Sequence, residues 1–119
     1  TEATHLQTGE TIITDAPLDN EGQGAAFSPT DLAATSLATC IITIMGIAAR
    51  KRDIDMTGTT ADVTKVMATN PRRISEIRIN ITLPDQLSDK ERTILQRAAK
   101  HCPVGYSLSA DLKEIVNYS

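Results

Sequence analysis

The residues best equipped for chemistry in this 119-residue chain are its two cysteines, Cys40 and Cys102, 62 positions apart. A thiolate is a nucleophile, and how reactive it is depends on its pKa and exposure. Each position also has a bland reading. Cys40 falls mid-way along an apolar stretch, where a buried core thiol is ordinary. The helix macrodipole acts only near helix ends, so a reactive thiol at that position needs a nearby cation. Its own segment supplies none, because Arg50, the first Lys or Arg in the chain, stands ten residues on, about 15 Å along a helix. Cys102 directly precedes Pro103. As the N-cap of a helix opened by that proline, it would have its thiolate favoured by the helix's positive end. A small apolar residue closing the preceding helix is an equal alternative. Spacing alone does not say whether the two sulfurs meet.

Other chemistries find little support. The soft metal ligands are Cys40, Cys102, His5 and His101, and none pair at zinc spacing, so neither a metal nor a cofactor is expected. There is no Gly-x-Ser-x-Gly elbow for a serine nucleophile. Gly22 and Gly24 sit among acidic residues, the wrong sign for a phosphate loop. Arg72-Arg73 beside Pro71 reads as a solvated turn.

Apolar residues at 40% and charged residues at 23% place the chain among folding sequences. Its length suits one domain over residues 1–119, with no linker or repeat. Charge is uneven: residues 1–49 hold six acids and no Lys or Arg, −6, while residues 50–119 carry +3, giving −3 overall. That balance, with only Phe27, Tyr106 and Tyr118 as aromatics, argues against nucleic acid as a partner. No apolar run approaches the ~20 residues of a membrane span, and no export signal opens the chain. The expected compartment is the reducing cytoplasm, where two cysteines stay free thiols and Asn80-Ile81-Thr82 is a chance glycosylation match. The chain opens at Thr1 without Met, so its natural beginning is expected upstream.

The elements that must position the thiols are readable. Residues 3–7 and 10–14 predict two short strands about Thr8-Gly9, and residues 15–27 a loop. Ser28 as N-cap, Pro29 and Asp31 open a helix of roughly 24 residues that ends at Arg50-Lys51-Arg52. Its middle, Leu37 to Ala49, is apolar or small on every side, which predicts burial nearly all round. A chain this short struggles to enclose such a helix, so a partner subunit is expected to help. Residues 57–68 and 74–83 predict strands, the second with Ile77, Ile79, Ile81 and Leu83 on one face. Ser88 with Glu91 forms a capping box for a helix to about His101, and Pro103 opens a short one. Residues 112–118 predict a last strand. The order ββ-α-ββ-α-(α)-β is α+β.

This arrangement resembles the OsmC/Ohr family of thiol-dependent peroxidases. The match lies in Ser28-Pro29-Thr30-Asp31-Leu32 followed by Cys40, in Ile42 through Ala49-Arg50-Lys51-Arg52, and in Cys102-Pro103-Val104 followed by Ser107-Leu108. The resemblance implies an intertwined homodimer with the long helices central. It implies that Cys40 attacks a small hydroperoxide and becomes a sulfenic acid. Cys102 then condenses with it, a small dithiol such as a dihydrolipoyl group restores both, and the role is antioxidant. Two positions depart from the family pattern. The Arg that holds the thiolate has no counterpart before Arg50, which leaves a missing N-terminal segment, Arg72, Arg73 or Arg78 of either subunit, or no cation. Thr30 stands where the family has a Glu, with the acid at Asp31, a candidate polar helper. The leading expectation is a peroxidase acting through Cys40, Cys102 and Asp31. The alternatives are a divergent, non-catalytic dimer that binds a small apolar ligand or a sulfur carrier, and a structural dimer with inert thiols.

Overall fold

A computed structural model describes residues 1–119. Two compact units divide the chain, Thr1–Ala33 and Ala34–Ser119.

In the N-terminal unit, β1 (Glu2–Thr4) pairs antiparallel with β2 (Thr11–Ile13), with Glu2 opposite Ile13. The strands are shorter than the sequence predicts because the turn is wider. His5 N–H donates to the Glu10 carbonyl, the Thr8 and Gly9 N–H groups both donate to the His5 carbonyl, and the His5 ring bonds Thr8 Oγ1 at 2.7 Å. Gly9 takes the left-handed φ of +82° that this turn demands. The following loop holds a 3₁₀ turn at Leu18–Asn20 and is closed by Asp15, whose carboxylate accepts the N–H groups of Ala16 and Ala25. These bonds, Ala25's foremost, lower the Asp15 pKa. At Gly22 a Cβ would fall 1.7 Å from the Ala16 carbonyl oxygen, so only glycine fits.

The long helix α1 runs Pro29–Lys51, 23 residues. Ser28 caps it as its type predicts: Ser28 Oγ accepts the Asp31 N–H at 3.0 Å, and the Asp31 carboxylate accepts the Ser28 N–H at 2.9 Å. Burial is not all-round. Within the chain α1 buries a single stripe, Ala34, Leu37, Ala38, Ile41, Met45 and Ala49, while Ile47 stays 38% exposed. By length and composition alone α1 is long and apolar enough to cross a membrane, against the expectation that no apolar run approaches that length.

In the C-terminal unit, β3 (Thr60–Ala68), β4 (Arg73–Thr82) and β5 (Lys113–Tyr118) form a sheet in the order β3-β4-β5. The β3–β4 pair is antiparallel with a bulge at Val66/Met67, and β4–β5 is parallel. Alternation along β4 seals Ile77, Ile79 and Ile81 completely. Helix α2 (Asp89–Ala99) starts at the expected Ser88–Glu91 capping box, and the Arg92 guanidinium ties its first turn to the Pro84 and Leu87 carbonyls. Helix α3 (Pro103–Ser107) follows with Cys102 as N-cap. One core joins the α1 stripe to the β4 isoleucines, to Leu95 and Ala99 of α2, and to Cys102.

Candidate functional site

Cys40 is carried on α1 one helical turn beyond Leu37, half-buried and packed against the core. Cys102 is positioned differently. Pro103 occupies the first turn of α3, the Cys102 carbonyl accepts the Tyr106 N–H, and its Sγ accepts the Gly105 N–H at 3.4 Å. The cysteine is 4% exposed. Both are free thiols, and Cys40 lies near enough to Cys102 to act on its ionisation. Helix packing brings together what 62 residues of sequence separate.

The Cys102 pKa is raised above the ordinary thiol value of 9.0. Burial is the main cause, followed by the neighbouring Cys40 thiol. The Gly105 N–H pulls the other way, as an N-cap position predicts, and is outweighed. The expected favouring of a Cys102 thiolate is therefore reversed in sign: at neutral pH this group is a protonated thiol.

A cavity of about 390 Å³ lies beside Cys102. Leu37 and Ile41 of α1 form an apolar wall, Gln96 and Lys100 come from the end of α2, and Glu114, Val116 and Tyr118 come from one face of β5. Burial raises the pKa of Glu114 and of Tyr118. Gln96, Lys100, Glu114 and Val116 did not figure in the sequence reading, and Leu37 and Tyr118 figured there only as an apolar helix position and an aromatic. The signal was present in the i, i+2, i+4 spacing of Glu114, Val116 and Tyr118, which puts an acid in line with two apolar positions on one strand face.

The other sequence candidates are not among the residues that line this cavity. Asp31 belongs to the N-terminal unit, where it caps α1. Arg73 donates to the Thr69 and Pro71 carbonyls in its own turn. Arg78 pairs with Glu76, and Lys113 lies 3.8 Å from the same carboxylate. His5 is part of the β1–β2 turn, and His101 Nδ1 is 3.1 Å from the Tyr106 hydroxyl.

Residues 22–115 match the family model for OsmC-like proteins. The chain belongs to the OsmC family. Its fold is also that of OsmC and Ohr crystal structures. It matches a candidate osmotic-stress-induced and detoxification-response protein from Psychrobacter arcticus 273-4 at 54% identity and a TM-score of 0.94, over 99% of this chain and 86% of that one. An organic hydroperoxide resistance protein OsmC from Legionella pneumophila matches at 14% identity and a TM-score of 0.72, over 100% and 95% of the two chains. An organic hydroperoxide resistance protein candidate from Vibrio cholerae, with captopril bound in one active site, matches at 16% and 0.76, over 97% and 81%. At such identities the last two establish the shared OsmC fold alone. No curated protein matches the chain.

Proposed function

We propose that this OsmC-family protein is a two-cysteine peroxidase that reduces small organic hydroperoxides or hydrogen peroxide. The observation that carries the reading is the nearness of Cys40 to Cys102, which itself lines a cavity. Cys40, the more open thiol, acts as nucleophile. Its thiolate attacks the terminal peroxide oxygen, the O–O bond breaks, and the alcohol or water leaves with one proton while Cys40 becomes a sulfenic acid. Cys102 then attacks the Cys40 sulfur, forming the disulfide and releasing water. A small dithiol such as a dihydrolipoyl group reduces the disulfide by exchange. A raised pKa suits Cys102 to the second role, since a resting protonated thiol does not compete for peroxide. Asp31 serves as a polar helper by holding the first turn of the helix that carries Cys40.

The working unit is proposed to be a cytoplasmic homodimer. The open side of α1 supports this, with Ile47 exposed and Ile42 and Ile44 only half-covered within one chain. A monomer in sedimentation at micromolar concentration would contradict it.

The deciding experiment titrates the protein with one equivalent of cumene hydroperoxide and maps the thiols by mass spectrometry. A Cys40–Cys102 disulfide is expected. If Cys40→Ser consumes peroxide as fast as the parent, the mechanism is wrong. A second reading, a ligand-binding OsmC-like dimer, is favoured by the engagement of Arg73 and Arg78 away from the thiols. It predicts that no disulfide forms and that an apolar ligand protects Cys102 from alkylation.

A further inference from the structure

We propose that Glu114 is the proton acceptor for Cys102 in the step that closes the disulfide. The inference rests on Cys102 being the resolving thiol, and it addresses what that role leaves open. A buried thiol with a raised pKa must lose its proton before it can attack, and neither the Gly105 N–H nor Cys40 is a base positioned to take it.

The geometry places a carboxyl at the right location. Glu114 lies on β5 opposite Ile77 of the central strand, and its side chain enters the cavity that Cys102 lines. Gly105 is the neighbour that thiol and carboxyl share. Its N–H donates to Cys102 Sγ at 3.4 Å, and the Glu114 oxygens lie 3.5 and 3.7 Å from where a Gly105 Cβ would stand. With no side chain on Gly105, the carboxyl and the thiol face one open space large enough for a relaying water.

The other titratable groups around the cavity do not fit the task. Lys100 is a hydrogen-bond donor with no acceptor to offer. Tyr118 is a neutral phenol whose pKa burial raises further. The Tyr106 hydroxyl is engaged with the His101 ring. The α1 wall contributes Leu37 and Ile41, which do not titrate. Glu114 alone offers an anionic base, and its lost hydration makes it a stronger one than an ordinary carboxylate.

The step balances. Hydroperoxide has already converted Cys40 to S–OH. Glu114 takes the Cys102 proton, the Cys102 sulfur attacks the Cys40 sulfur, and the S–O bond breaks. The proton passes from Glu114 to the departing hydroxide, which leaves as water. The carboxylate is regenerated and no outside oxidant or reductant enters.

The test uses Glu114→Gln and Glu114→Asp in the full chain, with one equivalent of cumene hydroperoxide and rapid quenching. Dimedone adducts report the sulfenic acid, and mass spectrometry reports the disulfide. In Glu114→Gln, peroxide consumption in the first turnover is expected at the parent rate, while disulfide closure slows about a hundredfold, within the range of general-base catalysis. Dimedone adducts at Cys40 then accumulate. Glu114→Asp is expected to recover part of the closure rate. The parent's closure rate should rise with pH through a carboxyl titration that Glu114→Gln lacks. Closure in Glu114→Gln within about threefold of the parent overturns the proposal. So does equal slowing of both steps, which would mark a structural role. Failure of the underlying reading shows separately, as parent-like peroxide consumption in Cys40→Ser.

Discussion

The middle of α1 and the α2–α3 junction each present one cysteine, yet they hold it by opposite means. On α1 the thiol rides a regular helix whose register is set by packing: Leu37, Ile41 and Met45 point into the core, and Cys40 stands beside that stripe, half-open. At the junction the thiol is held by local backbone chemistry, through a proline, a capping bond from Gly105 and near-complete burial. The first arrangement leaves a sulfur accessible to a small oxidant. The second seals a sulfur and sets its protonation. Sites built from two like groups divide labour in this way, by giving the same atom two environments.

The comparison can be broken by exchanging roles. Cys40→Ser is expected to lower peroxide consumption by at least about a thousandfold, the scale of losing a nucleophile. Cys102→Ser should keep the first turnover, lose repeated turnover, and accumulate sulfinic acid at Cys40 in excess peroxide, read by mass spectrometry. Equal loss in both variants would erase the distinction. Stability sharpens it next. Leu37→Ala, on the packed side, should cost about 2–5 kcal/mol in denaturant unfolding. Ser88→Ala, which removes the capping box of the helix leading to Cys102, should cost only about 1 kcal/mol.

The smallest effect concerns protons. In Cys40→Ser, alkylation of Cys102 against pH should still titrate above the ordinary 9.0, because burial, the main cause, survives the substitution. The sign for stability follows. A folded thiol pKa raised above the unfolded one favours the native state at neutral pH, and that contribution is lost as pH climbs past the unfolded value toward the folded one.

Much of this was legible in the residues. Ser28-Pro29, the Ser88–Glu91 box and Cys102-Pro103 are capping signals that act within one turn, and alternation along Ile77, Ile79 and Ile81 is a period-two pattern. What escaped depends on distance in the chain. The meeting of Cys40 with Cys102 needs the packing of α1 against a distant junction. Burial outweighing the α3 cap at Cys102 is a tertiary effect with no local signature. The expected all-round burial of α1 followed from composition, whereas the single chain supplies enough neighbours for one stripe. The N-terminal strands shortened because His5 and Thr8 build a wider turn than Thr8-Gly9 alone implies.

The parallel pairing of β4 with β5 has a kinetic consequence. Thirty residues lie between Thr82 and Lys113, and no tight turn can join parallel neighbours. The β3–β4 hairpin and α2 can form from nearby contacts, but β5 must return across α2 and α3 before Leu83 and Ile81 can bond Ser119. Because β5 is also the wall bearing Glu114 and Tyr118, the cavity is completed by the most non-local pairing in its sheet. Until that strand docks, the cavity beside Cys102 lacks a wall, and oxidant present during refolding should link thiols of different chains.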